Sequence, residues 1–354
     1  MSDLFDYKKE MSELRFTEIQ KKALAEAAAS AAQGRAAKRR RPVFRTALIA
    51  AAMAAVLVVG AGAAGILPSP TEIFAPLFGG AAAQTEVIGK IGHPIGASDT
   101  VNGITITADA IMGTEYNAVI VYTLSRDDGA RFFPEGENLD SRMLVMGGFG
   151  GLGGIKGGSH GSSWFVDEDP EDDRIQYVEA VNMDYPVTKA TVNATFYDLC
   201  YWKDGQAEPQ ALYTGRWYLR YEVDYEDCSI RLGGGEAFSQ DGLNFTIDEI
   251  SVSPIAVRAA YTADEAVVWS DAPSGRQSEE DARQSQRYLE NVEVLLTKTD
   301  GTVLDLSNAG GSISPDYDTG ISLCAKGQVL EEIIPLAELQ SISVGGVVYE
   351  IPHN

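Results

Sequence analysis

Two stretches of the chain, 139 residues apart, carry the same strand pattern. "NGITITADAIMGTEYNAVIVYT" (102–123) aligns without a gap on "DGLNFTIDEISVSPIAVRAAYT" (241–262). Six of 22 positions are identical: Gly103/Gly242, Thr107/Thr246, Asp109/Asp248, Ile111/Ile250, Tyr122/Tyr261 and Thr123/Thr262. Ile104/Leu243 and Ile106/Phe245 keep an apolar residue at every second place. Period two is the spacing of a half-buried strand. Asn-Gly and Asp-Gly, which open the two copies, are the pairs that tight hairpins select. A chain that repeats this pattern is expected to hold two related β modules, placed at 88–232 and 236–354, with "RLGGGEAF" (231–238) at their joint.

Other segments agree. In "GRWYLRYEVDY", Trp217, Leu219, Tyr221 and Val223 alternate with Arg216, Tyr218, Arg220, Glu222 and Asp224. "KATVNATFYDL" alternates Val192, Ala194 and Phe196 with Thr191, Asn193 and Thr195. A sheet with one apolar face needs a second sheet to cover it, so each module is expected to be a β-sandwich of the immunoglobulin-like kind. The second module adds a short helix near 279–289, signalled by Ser278 and Asp281 at capping-box spacing. Hairpin turns are expected at Asp300-Gly301 and Gly345-Gly346.

The N-terminal part follows a different logic. Thr46 to Thr71 is free of charge for 26 residues, and its most apolar part, 46–66, has 21. As a helix this spans roughly 30 Å, about one hydrocarbon core. Six Lys/Arg precede it within residues 35–45, among them Arg39, Arg40, Arg41 and Arg45. Forty-five residues are too many for the n-region of a cleavable signal. The Ala-rich "GGAAAQ" (79–84) leaves cleavage after export open. Residues 1–45 carry net +5 and residues 46–354 net −28. The positive-inside rule then keeps the N-terminus cytoplasmic, with the arginines against anionic headgroups, and exports the acidic remainder. The expected localisation is a single-pass cell-membrane protein with a juxtamembrane linker over 67–87, in which Ile73, Phe74, Leu77 and Phe78 form an amphipathic turn broken by Pro76. The acidic balance argues against nucleic-acid partners.

Within the cytoplasmic segment, residues 12–33 read as a helix with a Thr17–Gln20 capping box. Leu14, Phe16, Ile19 and Leu24 fall on one face, either a marginal juxtamembrane helix or one that docks into a cytoplasmic partner. The whole is thus expected to be mainly β: a cytoplasmic helix, one transmembrane helix, then two tandem sandwiches.

Motifs for chemistry are weak. "GGSHG" (157–161) fits Gly-x-Ser-x-Gly around Ser159, but the only histidine after the motif is His353, in an all-β context. "GFGGLG" (148–153) fits a dinucleotide fingerprint with no helix after it. The glycine-rich stretch 146–164 reads instead as a long irregular loop, on which His160 and Trp164 would line a binding surface. His93, His160 and His353 are scattered, so no metal site is expected. "DEDPEDD" (167–173) and "DYDTG" (316–320) read as solvated acidic loops rather than calcium sites. Three cysteines make no disulfide framework, although Cys200 and Cys228 adjoin strands and a pair between them stays open. No catalytic residue and no cofactor are expected.

The stretch from "EIFAPLFGGAAAQTEVIGKIGHPIGASDT" through "NAVIVYTLSRDDG" resembles membrane-anchored proteins of Gram-positive bacteria that carry the domain of unknown function numbered 4179. "WSDAPSGRQSEEDARQSQRYLENVEVLLTKTDGTVLDLSNAGGS" is similar to the second extracytoplasmic β-domain that often follows it. By layout the resemblance implies an anti-sigma-like role: a sensory exported part, one helix through the bilayer, and a cytoplasmic regulator such as a sigma factor as partner. Residues 1–45 contain neither His nor Cys, so the zinc-binding pattern of many anti-sigma domains is missing. The alternative is a surface binding or adhesion module with a structural tail. In either case the extracytoplasmic ligand is unidentified.

Overall fold

The computed structural model describes residues 68–134, 140–149, 158–203, 208–272 and 277–353. The basic cluster Arg39, Arg40, Arg41 and Arg45, the apolar run 46–66 and the helical face of Leu14, Phe16, Ile19 and Leu24 lie outside these residues. Among the described residues 53% are strand and 14% helical. Among them no helix is long and apolar enough to cross a membrane.

The sequence repeat is a repeat of structure. In the first module β1 (Gly92–Val101), β2 (Ile104–Gly113) and β3 (Asn117–Arg126) run antiparallel. In the second, β10 (Ala237–Gln240), β11 (Leu243–Val252) and β12 (Ala256–Ala263) do the same. Asn102-Gly103 and Asp241-Gly242 turn the first hairpin of each set with φ of 52° and 80°, and 50° and 80°. Both residues of each pair lie in the left-handed region, as a turn matched to strand twist requires.

The shared residues have matching tasks. Pairing skips Asp109 between Ala108 and Ala110, and Asp248 between Ile247 and Glu249, so each repeated Asp sits at a β-bulge. Thr123 Oγ1 donates to Asp109 Oδ2 at 2.6 Å, and Thr262 Oγ1 to Asp248 Oδ2 at 2.8 Å. The turns 114–117 and 253–256 also correspond: Asn117 N–H donates to Thr114 Oγ1, and Ala256 N–H to Ser253 Oγ. Tyr122 and Tyr261 are fully buried in the two cores. Their hydroxyls meet different partners, Tyr221 Oη at 2.8 Å and the Tyr288 carbonyl at 2.9 Å.

Around each repeat the sheet is completed in the same order. β6 (Arg174–Met183) and β5 (Ser159–Val166) extend the first sheet as β1-β2-β3-β6-β5. β16 (Ile321–Val329) and β15 (Gly310–Asp316) extend the second as β10-β11-β12-β16-β15, with β9 (Ile230–Leu232) also on β11. Facing sheets close the cores. β4 (Leu144–Phe149), β7 (Lys189–Tyr201) and β8 (Gln210–Asp224) cover the first. β13 (Val294–Lys298), β14 (Val303–Asp305), β17 (Leu339–Val344) and β18 (Val347–Glu350) cover the second. On β8 the inward residues are Trp217, Leu219, Tyr221 and Val223, as the alternation predicts. Trp217 Nε1 donates to the Ile104 carbonyl at 2.9 Å, which satisfies the indole inside the core.

The helix α3 (Glu279–Ser285) starts where expected, with Asp281 N–H donating to Ser278 Oγ, and widens into a π turn over Gln286–Glu290. The buried Lys326 donates to the carbonyls of Leu289, Val292 and Ser307, binding the end of this turn to the sheet. Nothing in the sequence pattern marks that lysine as internal.

Two readings need correction. Residues 146–164 are not one long loop. Met146–Phe149 and Ser159–Trp164 belong to β4 and β5, because their backbones pair with β7 and β6 and serine and glycine fit the pleat there. Nor is 67–87 a linker: α1 (Pro70–Phe78) and α2 (Ala82–Ile91) occupy it. Pro76 does not break α1. It lies near the end of a nine-residue helix, and Gly79 N–H still donates to the Ala75 carbonyl. Ser69 caps the start: Glu72 N–H donates to Ser69 Oγ, and Ser69 N–H to Glu72 Oε2 at 2.7 Å. Ser69→Ala is expected to lower stability by about 1 kcal/mol, measured as a shift in the urea midpoint, with faster amide exchange confined to the first turn of α1.

Both helices are held by apolar burial. Ile73, Phe74 and Phe78 of α1 and Ile88 and Ile91 of α2 pack on the outer face of the first sheet, through Ala110, Met112, Val119, Val121, Val178 and Ala180. Ile255, Ala256 and Ile333 of the second module join the same cluster. Phe78 accepts a hydrogen bond from Ile333 N–H at 2.9 Å, and Gln84 Nε2 donates to the Ile333 carbonyl at 3.0 Å. The helix pair is therefore gripped by both modules.

Candidate functional site

A cleft of about 730 Å³ opens where the two modules meet. Its floor is the outer face of the first sheet. Alternation on β5 sends His160, Ser162 and Trp164 to this face, while Phe165 enters the core. Ala180 and Asn182 of β6 complete the floor. One wall is the end of α1, Leu77 and Phe78, with Phe78 packed edge-on to Trp164 at 6.4 Å between ring centroids. The opposite wall comes from the second module: Asn308–Gly310 before and at β15, and Gly327–Glu331 from β16 onward.

Close backbone approach shapes the far end. His160 Nε2 lies 3.4 Å from the Gly327 carbonyl. A Cβ on Gly310 would stand 2.6 Å from His160 Cδ2, so glycine is needed for the ring to lie against β15. Beside it runs a buried polar chain. Thr114 Oγ1 donates to Asn117 Oδ1 at 3.2 Å, and Asn117 Nδ2 donates to Asn182 Oδ1 at 2.5 Å. Asn182 is only 8% exposed. At the contact between the modules, Arg231 pairs with Glu115 and Glu249, and the Arg258 guanidinium sits 3.9 Å over the Tyr116 ring.

Two buried carboxyls lie outside the cleft. Asp109 is 8% exposed, whereas its repeat counterpart Asp248 is exposed. The difference is cover. A groove of about 320 Å³ near Asp109 is lined by Glu72 and Ile73 of α1, Thr123, Glu168, Asp169, Asp172, Arg174 and Gln176. Burial pushes the Asp109 carboxyl up to about 7, against the pull of the Thr123 hydroxyl and Arg174. Glu179 faces the first core beside Tyr177, whose hydroxyl donates to Oε1 at 3.5 Å. Burial raises it as well to about 7, opposed by the Tyr122 and Tyr177 hydroxyls. A raised carboxyl in a cleft suggests an acid or base. Glu179 is 8% exposed and lines neither the cleft nor the groove at Asp109.

The motifs tested for chemistry resolve as follows. Ser159 lies on β5 opposite Met183, on a strand rather than at a strand-to-helix elbow. The acidic loops hold their own backbone: Asp169 Oδ1 accepts from Glu171 N–H, Asp172 Oδ1 from Arg174 N–H and Asp316 Oδ1 from Asp318 N–H. No cluster of three or more His, Cys, Asp or Glu with metal-binding geometry occurs among the described residues. Cys200, Cys228 and Cys324 are free thiols. Burial raises all three, Cys228 to about 11 and Cys324 to about 12, so they are protonated and poor nucleophiles at neutral pH.

Of the residues that the sequence points to for binding, His160 and Trp164 come together in the cleft. Phe78, expected at a membrane interface, joins them. Asn182, Asn308 and Gln328 carry no signal in the sequence, because their proximity depends on how the modules pack.

No family model and no curated protein matches the chain. Among solved structures it is similar to a conserved domain protein from Bacillus anthracis, at 12% identity and a TM-score of 0.41, over 71% of this chain and 75% of that one.

Proposed function

We propose that the chain is a non-enzymatic, single-pass membrane protein whose two extracytoplasmic, immunoglobulin-like sandwiches sense a ligand in their shared cleft and report it through the anchor. The observation that carries this reading is the position of α1. It is the first described element after the apolar run, and its end forms a wall of the cleft. It also packs on the first module and accepts a hydrogen bond from the second. A ligand that favours one arrangement of the cleft therefore favours one position of the chain that enters the membrane. Such coupling requires only that the ligand bind two arrangements with different affinity.

The charge asymmetry across 46–66 supports an N-terminus in the cytoplasm and acidic modules outside. The face of Leu14, Phe16, Ile19 and Leu24 then meets the cytoplasmic regulator, a sigma factor in the layout suggested by the resemblance to the domain of unknown function numbered 4179. Deleting residues 1–33 while keeping the basic cluster and anchor is expected to reproduce the change in transcription that loss of the whole gene produces. Retention of the full transcriptional response by that variant would favour the alternative, a surface binding module with a structural tail.

A further inference from the structure

We propose that the cleft between the modules binds a neutral saccharide. The inference rests on the reading of that cleft as the ligand site and adds the chemical class of the ligand.

Charge comes first. Among the described residues the lining contains no Lys or Arg, and its one full charge is Glu331. A phosphate, sulfate or carboxylate would find no cation there and would face a chain of net charge −23. A cationic ligand would find a single rim carboxylate. Neutral ligands remain.

Hydrogen bonding then separates polar from apolar ones. The Thr114 hydroxyl donates to Asn117 Oδ1, so Asn117 must donate to Asn182 Oδ1. That chain fixes the Asn182 amide with Oδ1 engaged by Asn117, and no acceptor among the described residues takes a hydrogen bond from its Nδ2. Asn182 is more than nine-tenths buried and lines the cleft. An apolar ligand over it would strip the amide of water and return nothing, at a cost in affinity. The ligand must accept a hydrogen bond at this point. Asn308, Gln328 and Ser162 add groups that both donate and accept, the property that adjacent ring hydroxyls require.

The apolar part of the site is an aromatic plate. Trp164 keeps 37% of its surface exposed and is backed edge-on by Phe78. An indole beside uncharged amides suits a pyranose, which has an apolar C–H face and a rim of hydroxyls. An extended peptide is less well served. It would pair along the free outer edge of β5, whereas the cleft floor is the face of the sheet, where His160, Ser162 and Trp164 present side chains.

The test is calorimetry on the full-length chain in phospholipid nanodiscs, titrated with three uncharged trisaccharides: triacetylchitotriose, cellotriose and maltotriose. At least one is expected to bind saturably at one site per chain. Trp164→Ala should weaken it by about fivefold to tenfold, and Gln328→Ala should weaken it as well. Trp202→Ala, an exposed tryptophan outside the cleft, should leave it unchanged. A pool of uncharged heptapeptides forms the second arm. Peptide binding that needs Trp164, with no trisaccharide bound, overturns the saccharide and leaves the cleft as the ligand site. Absence of Trp164-dependent binding in both arms overturns both. Saccharide binding that survives Trp164→Ala unchanged places the sugar elsewhere and also overturns the inference.

Discussion

Phe74→Ala is expected to destabilise the folded modules by about 3–5 kcal/mol, the range for a large aromatic removed from a packed core. Phe74 is fully buried and lies in the cluster shared by α1, α2, the first sheet and the second module. Its ring is 6.3 Å from that of Phe78, so its loss also loosens the cleft wall. The cost should appear in the urea midpoint and as rapid amide exchange over 73–78. Phe74→Leu, which keeps most of the volume, should cost about 1 kcal/mol. A further consequence follows from the cover over Asp109. If α1 lifts, water reaches that carboxyl and its pKa should fall toward the exposed value, which carbonyl-region NMR of labelled Asp can follow. Equal stability of the Ala variant and the parent would mean that α1 contributes nothing to the packed unit.

The second large effect depends on pH. Asp109 and Glu179 both rise to about 7 in the folded chain from ordinary values of 3.8 and 4.5. Between those limits the folded state binds more protons than the unfolded state, so stability must fall as pH rises. The stabilisation is fully present below pH 4, is lost progressively up to about pH 7, and the curve is flat for these groups above that. The shifts correspond to roughly 3–5 kcal/mol each, taking about 1.4 kcal/mol per unit. Glu179→Gln keeps the hydrogen-bonding shape without a charge. It is expected to remove one share of the slope and to make the protein more stable than the parent at pH 8, with little difference at pH 4. Urea denaturation at four pH values between 4 and 8 gives the comparison. A parent whose stability rises across this range would contradict the burial of both carboxyls.

The difference between Asp109 and Asp248 also shows how a duplicated module acquires a new property. Both occupy the same bulge and accept the same threonine hydrogen bond. Only the first is roofed by α1 and the acidic loop beside it, and that burial raises its carboxyl. The added helix, rather than the residue itself, turns a surface aspartate into a buried one.

Much of this was legible in the residues. Strict alternation gave β8 its inward Trp217, Leu219, Tyr221 and Val223, because a sheet with one wet face must alternate. The Asn-Gly and Asp-Gly pairs gave the matched turns, since few residues tolerate two successive positive φ values. The glycine stretch misled because glycine and serine carry little strand preference, and β5 is held by its neighbour β6 rather than by its own composition. Pro76 misled in the other direction, since burial of Ile73, Phe74 and Phe78 holds the helix despite the hydrogen bond that the proline removes. In 82–91, Val87, Ile88 and Ile91 mark a helical face, and Glu86 pairs with Lys90 at 2.7 Å, a signal that the linker reading overlooked. The cleft was only half visible. His160 and Trp164 stood out as unusual residues in a plain segment, but Asn182, Asn308 and Gln328 meet only through packing between modules.

Coupling between the cleft and α1 is tested most directly by hydrogen exchange with the cleft filled. Ser162 is exposed on the floor, so Ser162→Trp adds bulk there without touching either core. Exchange across α1 and α2 should rise several-fold in this variant of the full-length chain, while β2, β3, β11 and β12 keep their protection. Unchanged exchange in α1, with the added tryptophan seated in the cleft, would show that the cleft and α1 are independent.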